Sequence, residues 1–136
     1  MKVPLSVLFS LTLCGICGRV WPSEIQWTHL SSKHGDLPAP GESTQQTGAL
    51  VADLDKDGIN DFVLSFRQKP PALVWYRRTV KGWDRYVIEK DFLTVEAGGA
   101  LYDLDGDGDL DILNKPYNWE APRIDIWLQT GTGKRK

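Results

Sequence analysis

The sequence predicts an all-β fold built on a duplicated unit, and three observations carry that expectation. An acidic segment, Asp53-Leu-Asp-Lys-Asp-Gly-Ile-Asn-Asp61, returns as Asp103-Leu-Asp-Gly-Asp-Gly-Asp-Leu-Asp111 at an offset of 50 positions in a chain of 136. Short apolar runs rich in strand formers flank both copies: Ala49-Leu-Val-Ala52 and Phe62-Val-Leu-Ser-Phe66 around the first, Ala100-Leu-Tyr102 and Ile112-Leu-Asn114 around the second. Each run is too brief for a helix, so each acidic segment is expected to join two strands. Gly48/Gly98 and Leu54/Leu104 match at the same offset, which extends the duplication beyond the acids.

In chain order, Met1-Lys2 and the apolar stretch from Val3 to Cys17, ending in small residues near Gly18, have the layout of a secretory signal peptide over 1–18. About fifteen apolar residues are short for a bilayer span, although a retained amino-terminal anchor is the alternative. A lipoprotein is disfavoured because Leu13 and Ile16 precede the cysteines where a small residue is expected. Residues 19–47 form an N-terminal strand and loop: Ile25, Trp27 and His29 alternate with Gln26 and Thr28, and a polar stretch with Gly and Pro follows. The first unit, 48–97, holds strand, acidic loop, strand, and a turn at Gln68-Lys-Pro-Pro71. Two further strands, Ala72-Leu-Val-Trp-Tyr-Arg77 and Asp84-Arg-Tyr-Val-Ile-Glu89, flank a hairpin at Lys81-Gly82. The second unit, 98–136, repeats the loop, passes a turn containing Pro116 and Pro122, and reaches a third strand at Ile124-Asp-Ile-Trp-Leu128.

Four antiparallel strands per unit, repeating at this length, point to blades of a β-propeller, with a sandwich as the alternative. Closure needs at least about four blades, or roughly 200 residues at this repeat length. The expectation is therefore an incomplete propeller of about two four-stranded antiparallel blades, the second truncated, whose uncovered edges need further blades.

The loops state their chemistry through spacing. Carboxylates at positions 1, 3, 5 and 9 (Asp53, Asp55, Asp57, Asp61, then Asp103, Asp105, Asp107, Asp111) repel one another unless a cation sits among them. Calcium takes about six to eight hard oxygens in a flexible shell, so the backbone carbonyl at position 7, Ile59 or Asp109, and water complete the expected set. Magnesium demands a stricter octahedron. Gly58 and Gly108 hold position 6, where the sharp turn needs the positive φ that glycine enters cheaply. A solvated acidic turn is the plain alternative, and recurrence of four Asp and one Gly at one offset weighs against it. An EF-hand is excluded: it needs a bidentate Glu at position 12, which here is Leu64 or Asn114, and helical flanks.

Composition bounds the rest. Both cysteines, Cys14 and Cys17, lie in the signal segment, so a mature chain has no disulfide and bound metal would take over that bracing role. Export, secreted or periplasmic, suits weak calcium sites. Removing Lys2 leaves 15 basic against 18 acidic residues, nine of the acids in the two loops. No basic stripe of a nucleic-acid binder is present, Lys134-Arg135-Lys136 reads as a frayed end, and no membrane span remains after signal removal.

At Ala52-Asp-Leu-Asp-Lys-Asp-Gly-Ile-Asn-Asp-Phe-Val-Leu64 and Tyr102-Asp-Leu-Asp-Gly-Asp-Gly-Asp-Leu-Asp-Ile-Leu113 the chain resembles FG-GAP/VCBS repeat proteins, calcium-loaded propellers also found in integrin α-chain heads. The resemblance covers roughly residues 45 to 130. It implies that each loop joins strands one and two of a blade and holds calcium, and it says nothing about activity; the expected role is binding or scaffolding, with a glycan, a protein or further blades of the same fold as partner. Glu96-Ala-Gly-Gly-Ala100 and the Trp-rich strands look like the propeller of aldos-2-ulose dehydratase-like bacterial proteins. That likeness implies a fragment of a carbohydrate-active lyase or dehydratase as the alternative function, and no catalytic residue transfers to this chain with it.

Remaining constellations are plainer. His29, His34 and Glu96 match no zinc-ligand spacing and read as ordinary surface or strand residues. A phosphate loop and a nucleophile elbow are absent. Among the tryptophans, Trp75 and Trp127 are expected at equivalent third-strand positions, packing between blades, while Trp83 and Trp119 in turns suit either packing or stacking on a sugar; Trp21 and Trp27 lie near the amino terminus.

Overall fold

The computed structural model describes residues 24–116 and 123–131. The signal segment with Cys14 and Cys17, Trp21, Trp119, Pro122 and the basic end at 134–136 fall outside the described residues. Among the described residues, seven strands make two antiparallel sheets: β1 (Gln46–Ala52), β2 (Asp61–Phe66), β3 (Leu73–Thr79) and β4 (Gly82–Glu89) in one, β5 (Ala100–Tyr102), β6 (Asp111–Asn114) and β7 (Asp125–Trp127) in the other. Each sheet is a meander in sequence order, and no helix is long and apolar enough to cross a membrane among the described residues. The fold is all-β, and both acidic loops join the first two strands of their sheets.

One expected strand does not form. Residues 24–30 pair with nothing despite their alternation, leaving Ile25 and Trp27 at 79% and 93% exposure. Alternation marks a strand only where the segment pairs with a sheet edge and a face covers its apolar side, and residues 24–30 gain neither. The chain instead turns through a short 3₁₀ segment, Ser32–His34, capped by Ser31, whose Oγ accepts from the Lys33 N–H.

The next residues strap one face of the first sheet. Leu37 packs against Phe66, Val74 and Tyr76. The Tyr76 hydroxyl donates to the Pro38 carbonyl at 2.7 Å, and the Arg85 guanidinium donates to the Pro40 carbonyl. Beneath the strap Phe62 stacks on Tyr76 at 4.7 Å and meets Trp83 edge-on at 4.8 Å, so Trp83 packs in an aromatic layer.

The other face of the first sheet meets the second sheet. Leu54, Val63, Leu73 and Ile112 form the shared core, with Trp75, Leu101, Leu110 and Trp127 against it. Two polar bonds span the contact: the Trp127 indole N–H reaches Glu89, and the Gln129 amide reaches the Leu54 carbonyl at 3.0 Å. Where the sheets begin, Gly48 lies so close to the Gly98 carbonyl that an added Cβ would stand 2.9 Å from it. The matching pair Gly48/Gly98 thus meets in space, one glycine chosen for closeness and the other for its φ of 96°.

Registers define how the units correspond. Phe62 faces Tyr76 as Ile112 faces Trp127, and Val63 faces Trp75 as Leu113 faces Ile126. Trp127 is therefore the counterpart of Tyr76, and Trp75 the counterpart of Ile126, which corrects the expected Trp75/Trp127 equivalence: one residue more separates the second and third strands of unit two. It follows that the face of the first sheet covered by the second, carrying Leu54, Val63, Leu73 and Trp75, corresponds to Leu104, Leu113, Ile124 and Ile126 on the outer face of the second sheet. There Leu104 is 45% exposed and Ile124 is 66% exposed.

Truncating Leu73, fully buried between the sheets, is expected to cost about 2–5 kcal/mol in Leu73→Ala. The exposed hairpin residue changed in Val80→Ala should stay within about 0.5 kcal/mol of the parent. Urea denaturation of both variants measures the contrast.

Candidate metal centres

Both acidic loops fold to one backbone pattern. Positive φ occurs at positions 4 and 6 in each, at Lys56 (58°) and Gly58 (91°), and at Gly106 (79°) and Gly108 (89°). Position 6 was legible in the sequence, whereas position 4 was concealed because loop one places a lysine there. A non-glycine residue in the left-handed region is uncommon, and Lys56 is held in it by the turns on both sides.

Backbone N–H groups aim the carboxylates. In loop one Asp53 accepts from Asp57 N at 3.0 Å and from Gly58 N at 2.8 Å, while Asp57 accepts from Ile59 N at 2.9 Å. In loop two Asp103 accepts from Gly106 N at 2.7 Å and from Gly108 N at 2.9 Å, while Asp107 accepts from Asp109 N at 2.8 Å. Self-capping of this kind is what Asp does readily in turns. One carboxylate oxygen from each of Asp53, Asp55 and Asp57 comes within 4.8 Å of the others, and so do those of Asp103, Asp105 and Asp111.

The position-9 residues have a second task. Asp61 accepts from Arg78 N at 2.7 Å and from the Trp75 indole at 3.1 Å, and Asp111 accepts from Leu104 N and Gln129 N, both at 2.8 Å. Each is buried and ties the loop to the third strand or the segment just after it. Asp61 stands outside its loop's oxygen cluster, while Asp111 belongs to its own. Asp107 and Asp109 stand outside the loop-two cluster, and Ile59 is present at position 7 with its N–H turned to Asp57.

Two cationic side chains lean on the loops. The Arg77 guanidinium pairs with Asp55 and lies 3.7 Å from Asp57. Lys56 crosses from loop one to pair with Asp109 of loop two, so the loops sit side by side at one end of the sheets. Burial opposes the Arg77 charge, but attraction and hydrogen bonding to Asp55 outweigh it and hold the guanidinium above its ordinary value. The hydrogen bond to Asp109 likewise raises Lys56, against partial desolvation. Asp55 Oδ2 and Asp109 Oδ1 are buried without a well-directed hydrogen bond, and each faces one of these cations.

A hard cation fits this arrangement. The donors are all carboxylate oxygens, the cluster demands positive charge, and side-chain cations stand where it is demanded. These are acidic clusters that could hold a metal ion. Zinc chemistry is not supported at the third constellation: His29 and His34 meet edge-on at 6.1 Å, but Glu96 pairs with Arg67 instead. No family model matches the chain, and neither curated proteins nor solved structures give a significant match.

Replacing Asp61 or Asp111 by Ala strands two N–H donors apiece, and each change is expected to cost about 2–4 kcal/mol by urea denaturation. Burial pushes the Asp61 carboxyl up, against the donated bonds from Arg78 and Trp75. The folded chain then keeps this proton at a pH where the unfolded chain has lost it. Its contribution to stability falls as pH rises from the ordinary Asp range through the raised value. In metal-free buffer the stability advantage of the parent over Asp61→Asn should therefore shrink across that window, and urea midpoints at a series of pH values measure it.

Proposed function

We propose that this chain is a secreted or periplasmic calcium-binding protein of the FG-GAP/VCBS propeller type, in which calcium braces the strand-one to strand-two connections and the sheets serve binding or scaffolding. The observation that carries this reading is the pair of acidic loops. They share the same positive-φ positions, each turns two backbone N–H groups onto its first aspartate, and they stand side by side at the same end of adjacent sheets. Calcium supplies the positive charge that lets the carboxylates close around it; Asp53, Asp55 and Asp57 would hold it in one loop and Asp103, Asp105 and Asp111 in the other. The Asp61 and Asp107 carboxylates and the carbonyls of Ile59 and Asp109 belong to the ligand set expected from spacing.

The propeller reading draws on the way the units pack. The second sheet covers one face of the first, and the corresponding outer face of the second is apolar at Leu104, Ile124 and Ile126. A further sheet of the same kind is the partner this surface suits, and a glycan or protein ligand would engage the assembled sheets.

Calorimetry on the full chain should show calcium uptake that disappears in the double variant Asp55→Ala, Asp105→Ala. An unchanged titration in that variant would sink the reading. Because a cation bound by the folded state alone stabilises it by about 2.7 kcal/mol per site at a hundredfold excess over Kd, chelation should lower Tm by several degrees. Thermal scans with and without chelator measure that shift.

A further inference from the structure

The two loops are near-copies in sequence, yet the positive charge around them differs. Strand register makes Leu128 the counterpart of Arg77, because Arg78 N and Gln129 N donate to Asp61 and Asp111 respectively. Loop position 4 likewise sets Gly106 against Lys56. Arg77 engages Asp55 and approaches Asp57, two of the three residues whose oxygens converge in loop one. Lys56 instead engages Asp109, which is not one of the three that converge in loop two. Among the described residues no Lys or Arg pairs with Asp103, Asp105 or Asp111. Loop two also carries five aspartates, against four aspartates and a lysine in loop one.

We propose that the loops are unequal calcium sites: the 103–111 loop binds more tightly, and the 53–61 loop is the weaker site because Arg77 is already paired with Asp55 and lies close to Asp57. This deepens the calcium reading above and rests on it. A divalent cation entering loop one must displace the guanidinium from Asp55 or share the carboxylate with a positive charge in contact with it. Losing the pair also strips Asp55, at 1% exposure, of its counter-charge until the metal is seated. In loop two the nearby cation, Lys56, is paired with Asp109 outside the converging set and reaches Asp103 only at longer range. A neighbouring unit charge within about 4–6 Å changes a carboxylate's affinity for a proton by about 1–3 units, and a divalent ion feels it at least as strongly. The two dissociation constants should then differ by about tenfold or more.

The test is calcium calorimetry on the full chain, with terbium luminescence as a second readout. The parent should show two phases, with Asp105→Asn removing the tight one and Asp55→Asn the weak one. Arg77→Leu should tighten the weak phase by about tenfold or more, toward the strong site. The converse change, Leu128→Arg, should weaken the tight phase, and it keeps the test decisive if Arg77→Leu fails to fold. A parent chain that takes up no calcium overturns the calcium reading and this inference together. Two phases of equal affinity, or a tight phase removed by Asp55→Asn, overturn the inference alone, as does an unaltered weak phase in Arg77→Leu.

Discussion

Like charge crowded at one end of two sheets is the constraint on which the rest of the structure depends. Nine aspartates sit in two neighbouring nine-residue loops, and carboxylates at such spacing repel unless positive charge, full or partial, lies among them. The chain supplies it in layers. Backbone N–H groups at positions 5 and 6 of loop one, and at 4 and 6 of loop two, turn toward the first aspartate of each loop. Arg77 and Lys56 add full charges. The backbone geometry follows from the same demand, since directing those N–H groups inward takes positive φ at positions 4 and 6.

The position-9 aspartates carry this local demand into the sheets. Asp61 and Asp111 are buried and bonded to groups on or just beyond the third strand, so the acidic loop, the hairpin it closes and the next strand move as one piece. Loop one is also tied across the sheet boundary, through the Leu54 side chain in the shared core and the Leu54 carbonyl bonded to Gln129. Any cation that orders the loops therefore acts on the contact between sheets as well as on one turn. The strap from Leu37 to Pro40 covers the opposite face with apolar contact and two carbonyl acceptors.

Much of this was legible in the residues. Apolar runs beside Asp and Gly clusters placed β2 to β7 within a residue or two and β1 within three, because strand period and turn chemistry are local properties. The oxygen clusters were legible through the spacing of Asp53, Asp55 and Asp57 and of Asp103 and Asp105. Harder to see was that Asp61 would be drawn to Trp75 and Arg78 while Asp111 stayed in its cluster, since that depends on how the third strand lies. Residues 24–30 misled for a related reason: alternation describes a segment's own faces and says nothing about whether a neighbour offers an edge. Trp75 and Trp127 occupy similar places in the sequence of their units, but the connection is longer by one residue in unit two, and the register makes Trp127 the counterpart of Tyr76.

The sequence by itself determined the all-β character, the duplicated loop and the donor chemistry of each loop, all of which reside in residues close along the chain. Tertiary structure decided which face of each sheet is covered and that the loops lie together. It also decided that Arg77 reaches loop one where Leu128 stands beside loop two. Those outcomes rest on contacts between residues 20 or more positions apart, such as Arg77 with Asp55 and Lys56 with Asp109. The physical reason is that pairwise charge and packing energies depend on distance in space, which local periodicity does not encode.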